Sequence, residues 1–154
     1  MGALDKDTWN SATAKIVVKR YADDCYVLWR DLEDLEDYIP WFARVIVPIG
    51  QENRVKTFTC TLSIAGVESA CTMQLTQEKP GKRIAWETVE GSPLHHRGVV
   101  EFHQLRHGTG TEVALTLQHQ VPFQLGEAEG ENAANIALAR FKEFAETDPD
   151  ELIR

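Results

Sequence analysis

His95 to Gln120 reads HHRGVVEFHQLRHGTGTEVALTLQHQ, and two runs within it alternate with a period of two. His96, Gly98, Val100 and Phe102 share one face of the first run, and Val113, Leu115, Leu117 and His119 share one face of the second. Successive side chains of an extended strand point to opposite sides, so each run is a strand with one largely apolar face. The residues in between, among them His95, Glu101, His103, Glu112, Thr116 and Gln118, are polar and are expected to meet water. His107-Gly108-Thr109-Gly110 between the runs is turn chemistry and closes an antiparallel hairpin.

The same alternation extends toward the N-terminus. Phe58, Cys60 and Leu62 fall on one face, as do Cys71, Met73 and Leu75, and then Ile84 and Trp86, whereas Lys56, Thr72, Gln74 and Glu87 point the other way. Turn formers separate these runs at Gln51-Glu52-Asn53, Ala65-Gly66, Lys79-Pro80-Gly81-Lys82 and Glu90-Gly91-Ser92-Pro93. Six strands from Arg44 to Gln120 without a helical segment make an antiparallel meander. A further strand lies within Ala12 to Tyr21, around the β-branched run Ile16-Val17-Val18.

Helical periods flank the meander. Cys25, Leu28, Trp29 and Leu32 form one stripe, predicting a helix over 23–32 whose acidic start suits the positive end of its dipole. Leu35, Tyr38 and Ile39 add a short second helix that Pro40 ends, with Trp41 and Phe42 packing just beyond it. After Pro122 and Gly126, the stripe Ala134, Ala137, Leu138, Phe141, Phe144 and Ala145 predicts a long helix over 127–146. Alanines on its first half let it lie close to the sheet or leave space above it, and the phenylalanines plug the core. The expected fold is α+β: one domain over 1–154 with its core at 12–147, a seven-stranded antiparallel sheet, two short helices and a long C-terminal helix.

Charge and cysteine usage bound the partners. Sixteen Lys and Arg against 24 Asp and Glu give a net charge of −8, a field that repels phosphate backbones, so nucleic acid is not expected as a partner. Cys25, Cys60 and Cys71 are an odd number set in apolar stretches, which reads as buried thiols and a cytoplasmic location. Met1 to Ser11 carries Asp5 and Asp7 and lacks the apolar run of a secretory signal. No stretch reaches the roughly 20 apolar residues that span a bilayer, so stable membrane insertion is not expected. The expected state is a monomer or a homodimer.

Five segments in this order resemble the START/Bet v 1-like (SRPBCC) superfamily, and within it the polyketide cyclase/dehydrase group with its coenzyme Q-binding protein-like members. They are Val27-Leu28-Trp29-Arg30-Asp31-Leu32-Glu33 leading to Tyr38-Ile39-Pro40-Trp41; Glu78 to Glu87; Gly91 followed by His96 to Phe102; Gly110-Thr111-Glu112-Val113; and Ala139 to Phe144. The resemblance implies a helix-grip fold, in which a curved sheet wraps the last helix, and a cavity for an apolar ligand between them. Its members include lipid carriers, hormone receptors, oxygenase subunits and cyclases, so chemistry must be argued from the site.

Side chains assigned inward give the ligand-binding candidates: Trp29, Tyr38, Trp41, Phe58, Cys60, Cys71, Met73, Trp86, His96, Phe102 and His119. Each could equally fill a solid core; as a set, three tryptophans, a methionine and several inward polar atoms are more than a tight core of this size usually wants. His96 and His119 need a partner or a polar ligand group, and with Tyr38 they are the candidate acid-base groups; the competing reading is a buried histidine bonded to Tyr38 or to a backbone carbonyl. A zinc site from His96, His119 and a cysteine lacks close ligand spacing, so neither metal nor cofactor is expected. Cys60 and Cys71 sit in apolar surroundings that raise thiol pKa and oppose nucleophilic use. The acidic run Asp31 to Asp37 reads as a solvated helix face alternating with Leu32 and Leu35. Three functions follow: a carrier of a polyketide, isoprenoid or lipid; a cyclase/dehydrase of the aromatase kind that moves protons with His96, His119 or Tyr38; or an interaction module without a ligand.

Overall fold

A computed structural model describes residues 9–48, 56–64, 66–92, 94–120 and 127–147. The chain runs β1 (Asn10–Val18), α1 (Ala22–Arg30), a 3-10 turn (Leu32–Asp34), α2 (Leu35–Tyr38), β2 (Phe42–Ile46), β3 (Thr57–Ile64), β4 (Val67–Lys79), β5 (Arg83–Thr88), β6 (His95–Gln104), β7 (Thr111–Gln120) and α3 (Glu127–Glu146). Gln51-Glu52-Asn53, Pro122, Gly126, the chain before Trp9 and the chain after Thr147 lie outside the described residues, as do the side chains of Glu127, Glu129 and Glu131.

All seven strands join one antiparallel sheet in the order β1-β7-β6-β5-β4-β3-β2, so the first strand enters beside the last and the rest is the expected meander. Alternation sets the faces as predicted for β6 and β7, where His96, Gly98, Val100 and Phe102 and then Val113, Leu115, Leu117 and His119 are buried. Leu75 departs from this. It is only half-buried and packs against the core from its edge, at the point where the β4–β5 register shifts between Leu75 and Gln77. The β4–β5 turn closes with Lys82 N–H donating to the Lys79 carbonyl at 2.8 Å, and Gly81 sits at φ +72°, which Pro80-Gly81 supplies without strain.

The helices share the inner face. Residues 23–32, expected as one helix, divide at Asp31: α1 stops at Arg30 and Leu32 opens a 3-10 turn. Tyr26 is buried and Leu28 only half-buried, which rotates the expected stripe slightly. The acidic run is solvated at Asp31, Glu33, Glu36 and Asp37, but Asp34 is half-buried. α3 packs on β1, β7 and α2, burying Ala133, Ala134, Ala137, Leu138, Phe141 and Ala145. Its C-terminal end is tied to β1 and the chain beyond it: Lys142 Nζ donates to the Val17 carbonyl at 2.8 Å, Lys19 N–H to Glu146 Oε2 at 2.8 Å, and the Arg20 guanidinium to the Ala145 carbonyl at 3.0 Å.

Candidate functional site

The inner face of the sheet gathers the candidate residues. All eleven are buried: Trp29, Tyr38, Trp41, Phe58, Cys60, Cys71, Met73, Trp86, His96, Phe102 and His119. Ten of them fall into three neighbourhoods. Cys60 and Cys71 are directly opposed across β3 and β4, as are Phe58 and Met73 one step along. Trp29 stacks on Tyr38 at 5.7 Å and meets Phe141 of α3 edge-on at 5.0 Å, so both short helices and the long one converge on this indole. His96 and His119 are directly opposed across β6 and β7, roofed by Trp41, whose ring stands edge-on to His119 at 4.8 Å and to His96 at 6.2 Å. Trp86 bridges the second and third groups, 6.3 Å from Trp29 and 6.5 Å from His96 between ring centres. Phe102 stands apart, edge-on to Tyr26 at 6.0 Å.

Polar atoms inside this apolar shell are mostly unpaired. Among the described residues, Trp29 Nε1, Tyr38 OH, His96 Nδ1 and both ring nitrogens of His119 are buried without a hydrogen-bond partner. The exception is His96 Nε2, which accepts from Trp86 Nε1–H at 3.2 Å. His96 is therefore held by an indole and not by Tyr38 or a backbone carbonyl as the sequence suggested. Its backbone is held too: His96 N–H donates to Thr88 Oγ1 at 3.2 Å, and the Thr88 hydroxyl reaches the His96 carbonyl at 3.3 Å. Thr88 and Phe42, the latter 5.4 Å from the His96 ring, were not singled out for the site from sequence. Parity could have found Thr88, which stands two residues beyond Trp86 on the inward side of β5.

Burial governs the electrostatics. It pushes the His96 imidazole down to about 3, helped by the neighbouring His119, and lowers His119 as well, so both rings are neutral at physiological pH. Burial raises the Tyr38 hydroxyl, with Asp34, Asp31 and Asp37 adding to the effect, and the phenol stays a donor. Burial raises Cys60 to about 12, reinforced by Cys71, which argues against a thiolate nucleophile. Among the described residues no three His, Cys, Asp or Glu side chains converge on a common point. No helix among them is long and apolar enough to cross a membrane. Among the described residues, larger grooves open elsewhere on the surface, one of about 500 Å³ beside α1 and Val47 and one of about 810 Å³ beside the β4–β5 turn and the start of α1, which Phe102 also lines.

The seven-stranded antiparallel sheet with the long C-terminal helix packed on its inner face has the START/Bet v 1-like helix-grip fold. The model of the family described as polyketide cyclase / dehydrase and lipid transport matches residues 18–146, and the chain belongs to this family. A 17.2 kDa protein of the melC2-rnhH intergenic region of Streptomyces lincolnensis is 29% identical over 128 residues, 79% of each chain. The structure of DR_A0006 from Deinococcus radiodurans matches with a TM-score of 0.69 at 25% identity, over 86% of this chain and 95% of that one. The Zhui aromatase/cyclase from Streptomyces sp. R1128 has a similar fold, with a TM-score of 0.63 at 18% identity over 96% of this chain and 97% of its own.

Proposed function

We propose that this protein binds a neutral, largely apolar small molecule of polyketide, isoprenoid or lipid type between the concave face of the sheet and α3. The observation that carries this reading is the set of unpaired polar atoms on that face: Trp29 Nε1, Tyr38 OH, His96 Nδ1 and both nitrogens of His119. A buried polar group without a partner costs about 1–3 kcal/mol, and a core selected only for stability would have replaced these groups with apolar ones of similar shape. A ligand that is apolar over most of its surface and polar at a few points recovers both terms, since burial supplies affinity and the polar points fix orientation. The net charge of −8 and the neutral imidazoles favour an uncharged ligand over a free acid.

The test is direct. Protein purified without denaturant is analysed by native mass spectrometry, and its organic extract by liquid chromatography. A copurifying apolar molecule at one per chain is the expected result. A bare chain whose Tm is unmoved by a panel of polycyclic ketones and isoprenoid quinones would remove the reading.

His119 favours a second reading, catalysis of the cyclase/dehydrase type. Its neutral ring has no partner at either nitrogen, so one nitrogen is free to take a proton from a carbon between two carbonyls while the Tyr38 hydroxyl steadies the enolate oxygen. The enolate carbon would then attack a second carbonyl of the same chain, the His119 imidazolium would return its proton to the new alkoxide, and loss of that hydroxyl together with a proton from the neighbouring carbon would release water. Turnover of a poly-β-ketone that falls at least about a hundredfold in His119→Ala, with binding retained, is the outcome that supports it.

A further inference from the structure

We propose that Trp86 is a positioning residue that fixes the ring proton of His96 on Nδ1, making His96 a hydrogen-bond donor to a ligand carbonyl and leaving His119 as the acceptor of the pair. The inference rests on the ligand-binding reading above and assigns the chemistry that the ligand must present.

Indole Nε1–H can only donate, so the imidazole nitrogen it meets at 3.2 Å must offer a lone pair. A neutral imidazole has one bare nitrogen and one N–H, and a bare Nε2 places the proton on Nδ1. Burial keeps the ring from charging and so holds this arrangement at neutral pH. Nδ1–H is then a fully buried donor without a partner in the protein.

Two features hold the arrangement in place. Trp86 is paired across the strands with Gly98, and a Cβ on Gly98 would fall inside the indole at Cζ2, Cε2 and Nε1. The absent side chain lets the indole lie across β6 and reach diagonally to His96. Gly98 has no positive φ, so glycine is needed here for room and not for backbone conformation. Finally, the two hydrogen bonds between Thr88 and the His96 backbone fix the base of the imidazole.

The donor count then gives the ligand chemistry. Trp29 Nε1–H, His96 Nδ1–H and one N–H of His119 can only donate, the Tyr38 hydroxyl can donate or accept, and the single acceptor among the rings is the bare nitrogen of His119. Donors outnumber acceptors, so the site selects a carbonyl-rich molecule with at most a few hydroxyls. His96 cannot serve as the general base, because its lone pair is engaged by Trp86.

Histidine-ring 15N correlation spectra of the wild-type protein at pH 7.5 test the assignment without any ligand. The expected spectrum has His96 protonated at Nδ1 and bare at Nε2, and Trp86→Phe should release it toward the Nε2–H form that free imidazole side chains prefer. A wild-type His96 with its proton on Nε2 overturns the proposal. Binding of fluorenone and of fluorene, which share a shape and differ in the carbonyl, then tests the donor. Wild type should prefer fluorenone by about threefold to tenfold, the worth of one buried hydrogen bond, and Trp86→Phe should lose that preference. Equal binding of the two by wild type overturns the donor role. Failure of both to bind, with the expected spectrum, overturns the ligand reading for this shape and supports the tautomer assignment. Gly98→Ala, which displaces the indole without removing it, should move the His96 spectrum as Trp86→Phe does; an unmoved spectrum in a folded Gly98→Ala protein counts against the proposal.

Discussion

His96 and His119 face each other across the neighbouring strands β6 and β7, and the cost of keeping both neutral has a definite sign. A histidine whose folded pKa is depressed contributes nothing above its unfolded value of about 6.5; below it the unfolded chain takes up a proton that the folded chain refuses. Stability should therefore fall as pH drops from about 6.5 toward the folded pKa, by at most about 1.4 kcal/mol per pH unit for each ring. Urea unfolding at pH 7.5, 6 and 5 measures this, and His119→Gln should flatten the slope; an equal slope in that variant would show that His119 is not a cause of it. The pair Gly98 and Trp86 makes a second case. Gly98→Ala should cost about 1–3 kcal/mol through overpacking, and much less in a Trp86→Phe background, where the indole is no longer in the way. Alternation made the inward side of both histidines legible in sequence. It could not show that Trp86 reaches His96, because that contact is diagonal and depends on which residue of β6 lacks a side chain.

At the scale of the element, the connection from α1 to α2 carries its own strain. Burial raises Asp34 to about 6, and Asp31, Asp37, Glu33 and Glu36 add to the rise. For a carboxyl with a raised folded pKa the destabilisation is complete above that value and fades as pH falls toward the unfolded one. Asp34→Asn should thus raise Tm at pH 7.5 and change it little at pH 4.5, the gain being modest because the group is half exposed. This site opposes the two histidines over the same pH range, so the variant should also steepen the acid slope described above. Glu78 shows the opposite behaviour. Burial alone would raise it, but hydrogen bonds from Lys56 and Arg30 outweigh that and hold it below the usual range. Arg30 Nε donates to Glu78 at 2.6 Å, and Lys56 also pairs with it, so this carboxylate ties α1 to β4 and to the start of β3. Glu78→Gln should cost about 1–2 kcal/mol by urea unfolding, with weak salt dependence since the Arg30 and Glu78 side chains are largely buried. Element bounds were legible where one period runs unbroken, as for α3, whose range of 127–146 was read from its stripe. They were not legible where two local preferences compete. The break after Arg30 and the shifted register between Leu75 and Gln77 are set by how the helices and strands pack, and no residue at either place announces them.

For the whole molecule, topology was readable because every connection among β3 to β7 is a short turn that leaves only an antiparallel neighbour within reach, and the sheet order follows. The pairing of β1 with β7 was not readable locally, since it joins residues about a hundred apart, with α3 packed on both strands. Such long-range pairing has a consequence for cooperativity. Cys25 lies on α1, and Cys60 and Cys71 lie mid-sheet on β3 and β4, all three buried and free. Burial raises Cys25 to about 11 and Cys60 to about 12, so neither reacts from the folded state at pH 8. α1 is anchored at both ends, by Ala22 N–H on Gln104 Oε1 at 2.8 Å and by Arg30 on Glu78 at 2.6 Å, which opposes its opening apart from the sheet. If the chain is one cooperative domain, a disulfide reagent should label all three thiols at one common rate, and that rate should rise with urea along the slope of global unfolding. Peptide mapping of the labelled protein distinguishes the sites. Earlier labelling of Cys25, with Cys60 and Cys71 protected, would show that α1 opens as a separate unit and that the inner face can be reached without unfolding the sheet.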